Sequence, residues 1–123
     1  MAHTTAKHFT QFKRYAQKWL KTFGLTSWSV EFNHKDLENN LRLAECGVDA
    51  IGKFAELNLN VVWEDNIPTL VNLSNTACHE VLHVLLGPMA HLSSERFVTE
   101  RELEHAEHEV IRNILQFIFP RIT

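Results

Sequence analysis

The sequence predicts an α+β domain in which one helix precedes a small sheet and two further helices follow it. Three observations support this prediction: apolar residues recur at three- and four-residue steps near the N terminus, alternate with polar residues from about 28 to 62, and then return to helical spacing. The chain has 123 residues, 45% of them hydrophobic, which is enough for one modest core. No repeat or linker-like segment interrupts it, so we expect a single domain over residues 1–123.

The first helix is predicted from about Thr5 to Phe23, with Gly24 as its stop. The residues that it turns inward share one helical face: Phe9, Phe12, Ala16, Trp19, Leu20 and Phe23.

Alternating segments then predict three strands. Residues 28–32 place apolar side chains at every second position, and the polar stretch from His34 to Asn40 is expected to be a loop. Residues 44–50 and 55–61 alternate in the same way, and Gly52-Lys53 supplies a turn between them, so these two strands should pair antiparallel. We therefore expect a three-stranded, mostly antiparallel sheet.

Two helices complete the prediction. The first begins at Pro68 or Ser74 and ends at Gly87-Pro88, because glycine followed by proline commonly terminates a helix. The second runs from about Ser94 to Phe119, and Pro120 closes it. Their inward residues are expected to be Leu70, Leu73, Ala77, Val81, Val84 and Leu85 in one helix and Leu103, Val110, Ile111, Ile114 and Ile118 in the other.

Composition excludes several classes of partner. The formal net charge is -3 and the pI is about 6.2, which argues against nucleic acid, since a phosphate-binding surface usually carries a basic excess. Two cysteines imply no disulfide framework and favour a reducing compartment. Neither a signal sequence nor an apolar run of membrane-spanning length is present, so we expect a cytoplasmic protein without a membrane partner.

The segment His79-Glu80-Val81-Leu82-His83 carries the strongest chemical signal. Histidines four residues apart project from one face of a helix on adjacent turns, a spacing that suits two positions of a tetrahedral zinc ion. Glu80 lies about 100° round the helix axis, so it is placed to reach a water on the metal rather than the metal itself. The competing interpretation is a surface pair of histidines that the helix dipole favours.

A catalytic zinc needs a third protein ligand, and the last helix offers several candidates. Glu107 is predicted to lie on the apolar inward stripe of that helix, where an unpaired carboxylate would be costly. His108 lies at the border of the stripe and is the main competitor, and His91, expected in the loop after Gly87-Pro88, is a further alternative. We therefore predict His79, His83 and Glu107 as the zinc ligands.

This arrangement of an HExxH helix, a short connection and a glutamate on a second helix resembles the gluzincin metallopeptidases. The order of one helix, a small sheet and two helices is similar to the minimal gluzincins (minigluzincins) and to the short HExxH proteins common in phage genomes. The resemblance implies a zincin-like fold and hydrolysis of peptide bonds in a peptide or protein substrate by a metal-activated water. Glu80 would be the general base, and the strand Phe54 to Val62 is expected to border the cleft. In one respect the chain departs from the family pattern: Ile111 stands where many gluzincins have an aspartate that orients the first zinc histidine.

A non-enzymatic module, stabilised by zinc and acting by binding a partner protein, is the alternative function. A fossil fold that no longer binds zinc is a further one. Glu80 favours the enzyme, because a structural zinc requires no general base.

Overall fold

The computed structural model of the protein describes residues 1–95 and 97–118. The predicted α+β class is confirmed, and the predicted inward position of Ile118 and the helix end at Phe119 and Pro120 lie outside what is described. None of the described helices is long and apolar enough to cross a membrane. In chain order the elements are β1 (Ala2–His3), α1 (Ala6–Thr22), β2 (Ser29–Lys35), β3 (Ala44–Asp49), β4 (Phe54–Asn60), β5 (Val62–Trp63), α2 (Leu70–Ser93) and α3 (Glu100–Ile118).

Both ends of α1 follow from local chemistry. At the N terminus the Thr5 hydroxyl accepts from the His8 backbone N–H, and the His8 ring accepts from the Thr5 N–H at 3.0 Å, so each residue satisfies a free donor of the other. At the C terminus Gly24 adopts a φ of 71°, and the Leu25 N–H donates to the Leu20 carbonyl at 2.8 Å. This left-handed cap confirms Gly24 as the stop.

The main sheet has the strand order β2-β4-β3. The predicted antiparallel pairing of β3 with β4 is confirmed, but β2 pairs with β4 in parallel, so the expectation of a mostly antiparallel sheet is wrong. Sequence alternation predicts strands without their partners, and here β4 inserts between the two strands that precede it. The predicted loop also starts later, because β2 continues through His34 to Lys35. A separate two-stranded pairing joins β1 to β5.

The core lies where α1 and α2 pack on the sheet. Every second residue of β4 (Ala55, Leu57 and Leu59) is fully buried in it. Burying such a side chain stabilises the fold by about 1.5–3 kcal/mol for a leucine. The helices contribute Phe12, Ala16, Leu20, Leu73, Ala77, Val81 and Val84.

Asn60 is the fully buried polar residue of β4, and it fixes the loop between β2 and β3. Its side-chain amide donates to the carbonyls of Asn39 (3.0 Å) and Arg42 (2.7 Å), and its side-chain oxygen accepts from the Leu37 N–H at 3.2 Å. A buried side-chain amide is stable only when such bonds are made. The loop therefore has a defined conformation up to the first residue of β3.

Helix α2 continues through Gly87 and Pro88 to Ser93, so the predicted end at these residues is wrong. Gly87 is buried, and a Cβ added there would lie 2.7 Å from Cγ1 of Val48 in β3. The glycine thus permits a close helix–strand contact instead of ending the helix. At the other end Thr69 is the N-cap, in place of either predicted start.

Helix α3 begins six residues later than predicted, with the Thr99 hydroxyl accepting from the Glu102 N–H at 3.1 Å. Among the side chains of α3 that the structure describes, Ala106 and Val110 are buried, whereas Ile111 and Ile114 are 40% and 39% exposed. The predicted inward positions of these two isoleucines are therefore wrong. The apolar residues of α3 cover a wider arc than the face it buries, and the small Ala106 lies at the centre of that face.

Candidate active site

An open cleft of about 570 Å³ lies between α2 and the start of β3. Helix α2 lines it with polar side chains at successive turns, and β3 and the residues just before it form the opposite wall. The lining residues are Arg42, Leu43, Ala44, Glu45, Cys46, Asn66, Asn72, Asn75, Thr76, His79, Glu80 and His83. All three residues predicted from the HExxH motif are therefore in one cleft.

His79 and His83 present their rings to the solvent side of this cleft. The ring centroids are 5.1 Å apart and the ring planes are inclined by 74°. Two imidazoles bound to one zinc at about 2.0–2.1 Å with tetrahedral angles have their centroids about 5 Å apart. The two rings are thus spaced as two ligands of one ion would be.

Glu80 lies on the floor of the cleft, where its residue is only 5% exposed. Burial raises the pKa of this carboxyl, and the positive charges of His79, His83 and Arg42 oppose the rise. Cys46 of β3 lines the same cleft, and burial, followed by the charge of Glu80, raises the pKa of its thiol to about 12. The thiol is therefore neutral at physiological pH.

The premise for Glu107 as third ligand is wrong: its side chain is exposed, and it does not line the cleft. It flanks the buried stripe of α3 because the stripe centres on Ala106 and Val110 rather than on Ile111. Among the acidic residues of α3, Glu109 alone is half-buried. Within residues 1–95 and 97–118 no group of three His, Cys, Asp or Glu side chains is close enough to hold a metal ion. The donor set fits zinc in part, with two nitrogens and no third donor in place.

The two histidine alternatives are engaged elsewhere. His91 lies in the last turn of α2, not in a loop, and its Nε2 is 3.1 Å from Glu95. It follows His83 by eight residues, which is about 12 Å along a helix. His108 is exposed, and its Nδ1 is 2.8 Å from the Glu104 carbonyl of its own helix.

The strand that borders the cleft is β3, not the predicted strand Phe54 to Val62. That predicted strand corresponds to β4, which is paired on both sides and cannot offer a free edge. In the described sheet β3 is one of the two outer strands, and its residues Ala44 to Cys46 line the cleft.

Several lining residues were not identified from the sequence: Arg42, Glu45, Asn66, Asn72, Asn75 and Thr76. On α2 there was a signal, since Asn72, Asn75 and Thr76 continue the polar stripe of the two histidines at helical spacing. For Arg42 and Glu45 there was none, because their position depends on the loop that Asn60 holds.

Comparison of the chain with protein-family models, with curated proteins and with solved structures finds no match in any of the three.

Proposed function

We propose that the protein is a zinc-dependent metallopeptidase with a zincin-like fold. One observation carries the proposal: a buried glutamate lies beside two exposed histidines, four residues apart on one helix, at the floor of an open cleft. A surface pair of histidines would not require the buried carboxylate, which is costly to keep in that position. The chemistry of an HExxH motif does require it.

In this proposal His79 and His83 would hold the zinc, and the ion would supply Lewis acidity toward water and the substrate carbonyl. Glu80 is the general base: it takes a proton from the attacking water and passes it to the leaving amine. The upward shift of the Glu80 pKa on burial is in the direction that such a residue needs, because it must both accept and release the proton.

An extended peptide substrate would bind along β3. In the described part of the chain no strand pairs with the outer edge of β3, so its main-chain N–H and C=O groups are free to bond a peptide. This edge and the HExxH residues line the same cleft, so a peptide added there passes Glu80.

The third ligand stays a prediction, with two candidates on α3. The family resemblance points to Glu107, and burial points to Glu109. Each flanks the buried stripe, on opposite sides of Ala106 and Val110. The zinc affinities of Glu107→Ala and Glu109→Ala identify the ligand. Loss of a glutamate that binds the metal directly weakens zinc binding by orders of magnitude, and loss of a solvated glutamate does not.

The decisive experiment measures zinc content and proteolysis together. We expect one zinc per chain after dialysis against trace zinc, and cleavage of casein that a chelator abolishes. His83→Ala should lose both, whereas His105→Ala, an exposed histidine outside the cleft, should keep both. Less than half an equivalent of zinc in the unaltered protein would contradict the metal site. Full zinc without cleavage of any protein would favour the zinc-stabilised binding module.

A further inference from the structure

The cleft extends beyond the HExxH residues toward the N-terminal end of α2. We call this part the asparagine end and define it by Arg42, Asn66, Asn75 and Thr76. Within the described residues the side chains of Asn66, Asn75 and Thr76 make no hydrogen bond. These groups therefore present unused hydrogen-bonding capacity to whatever enters the cleft.

The direction of β3 places Arg42 at this end. Val48 lies against Gly87 of α2, and Cys46, two residues earlier in β3, lines the cleft together with Glu80. The strand β3 and the helix α2 therefore run in the same direction along the cleft. Arg42 precedes β3 and must lie toward the start of α2. From His79 back to Asn75 is about 6 Å along the helix axis. That distance corresponds to about two residues of an extended peptide.

Glu45 orients the Arg42 side chain but uses only part of its hydrogen-bonding capacity. Its Nη1 donates to Glu45 Oε2 at 3.3 Å, and the other carboxylate oxygen of Glu45 accepts from the side chain of Asn58 at 3.1 Å. The guanidinium has five N–H donors, and this is its sole hydrogen bond within the described chain. Its side chain is 54% exposed, so the remaining donors are accessible from the cleft.

We propose that the asparagine end is a subsite for a carboxylate of the substrate, and that Arg42 is the residue that determines this specificity. The inference rests on the proposed peptidase function. A peptide that pairs with β3 in the more stable antiparallel direction has its C-terminal side at the asparagine end. The carboxylate therefore lies about two residues after the bond that is cleaved, and belongs either to an Asp or Glu side chain or to the C terminus of the peptide.

The experiment uses one set of octapeptides with Asp, Glu, Asn or Gln at successive positions, each with a free or an amidated C terminus. We measure kcat/KM by mass spectrometry for the zinc-loaded full chain, for Arg42→Gln and for Lys35→Gln. Lys35 is the matched control, since it too pairs with a glutamate (Glu56, 3.4 Å) but lies outside the cleft lining. The unaltered protein and Lys35→Gln should prefer the carboxylate over the amide at least about tenfold, and Arg42→Gln should not. Comparing Asp or Glu with Asn or Gln tests recognition of a side-chain carboxylate, and comparing free with amidated C termini tests recognition of the terminal carboxylate.

Binding of the peptides to the Glu80→Gln variant tests the subsite without requiring their cleavage. Calorimetric titration with the same acidic and amide peptides should show the preference in Glu80→Gln and its loss in the double variant with Arg42→Gln. A preference that survives Arg42→Gln, or equal affinity for acidic and amide peptides, would overturn the subsite. Binding with this preference but no cleavage of any peptide would leave the subsite intact and overturn the peptidase. Melting curves exclude unfolding of the Arg42→Gln variant as the cause.

Discussion

Replacing Glu80 by glutamine should make the metal-free protein more stable at neutral pH. The residue is 5% exposed, its side chain makes no hydrogen bond within the described chain, and burial raises its pKa above the ordinary value of 4.5. A carboxyl whose pKa rises on folding holds its proton more tightly in the folded state. The folded state therefore loses stability as the pH rises through 4.5 and on to the folded pKa. Glutamine keeps the shape and avoids this loss.

The expected gain is on the order of 1 kcal/mol at pH 7, the low end of the cost of burying a polar group, because the carboxylate oxygens of Glu80 still reach the water in the cleft. The permanent positive charge of Arg42 also offsets part of the burial cost. Below pH 4.5 the gain should vanish, since the carboxyl is then neutral in both states. Urea unfolding in the presence of a chelator, monitored by circular dichroism between pH 4 and 8, measures the gain in stability at pH 7 and its dependence on pH. Glu31→Gln, at an exposed position of β2, should stay within about 0.5 kcal/mol.

With zinc present, the same variant should lose about 10²–10⁴-fold in kcat on a fluorescent casein, which is the usual contribution of a general base. Its zinc content should not change, because Glu80 is assigned to the proton and not to the metal. A lower stability of Glu80→Gln at pH 7, or a difference that does not vary with pH, would refute the account of burial. Loss of zinc in the variant would make Glu80 a ligand, and unchanged cleavage would remove its catalytic role.

Two further predictions concern the support of the cleft. Asn60→Ala removes three side-chain hydrogen bonds and should lower the free energy of unfolding, measured in urea, by about 3 kcal/mol. The control Asn66→Ala should change it by less than about 0.5 kcal/mol. A cost below about 1 kcal/mol for Asn60→Ala would contradict the role of Asn60 in holding the loop. Gly87→Ala should destabilise the protein by about 1–3 kcal/mol because the new Cβ meets Val48, although alanine usually stabilises a helix. In a Val48→Ala background the same substitution should stabilise the protein. A Gly87→Ala single variant that is more stable than the unaltered protein would refute the contact.

The elements of the fold could be predicted from sequence periodicity because each period reports local backbone geometry. Helix α1, its stop at Gly24 and the β3–β4 pair depend on neighbours in sequence, and these predictions were confirmed. The parallel pairing of β2 depends on β4, a strand more than twenty residues later. Gly87-Pro88 has the sequence of a helix end, and the close contact with Val48 that explains the glycine is visible only in three dimensions.

The same distinction between features set by neighbours in sequence and features set by tertiary packing applies to the candidate site. His79, Glu80 and His83 could be predicted as one group because helical spacing alone brings them to the cleft. The buried face of α3 could not, since five apolar residues of that helix were consistent with more than one inward direction. The packing of α3 at Ala106 and Val110 selects a face that leaves Glu107 in solvent. A third ligand on a second helix is therefore the part of the site that periodicity predicts least well.

The buried polar residues of β4 explain how an edge strand can form one wall of the cleft. An edge strand is paired on one side alone, so main-chain hydrogen bonds do not hold its outer groups. Asn58 and Asn60 are 3% and 0% exposed, and their amides reach Glu45 and the Arg42 carbonyl at 3.1 and 2.7 Å. These positions of β4 would be solvated in a simple amphipathic strand. Their burial instead ties the cleft wall to the central strand, so the residues predicted to select the substrate are held in place by the core that folds the protein.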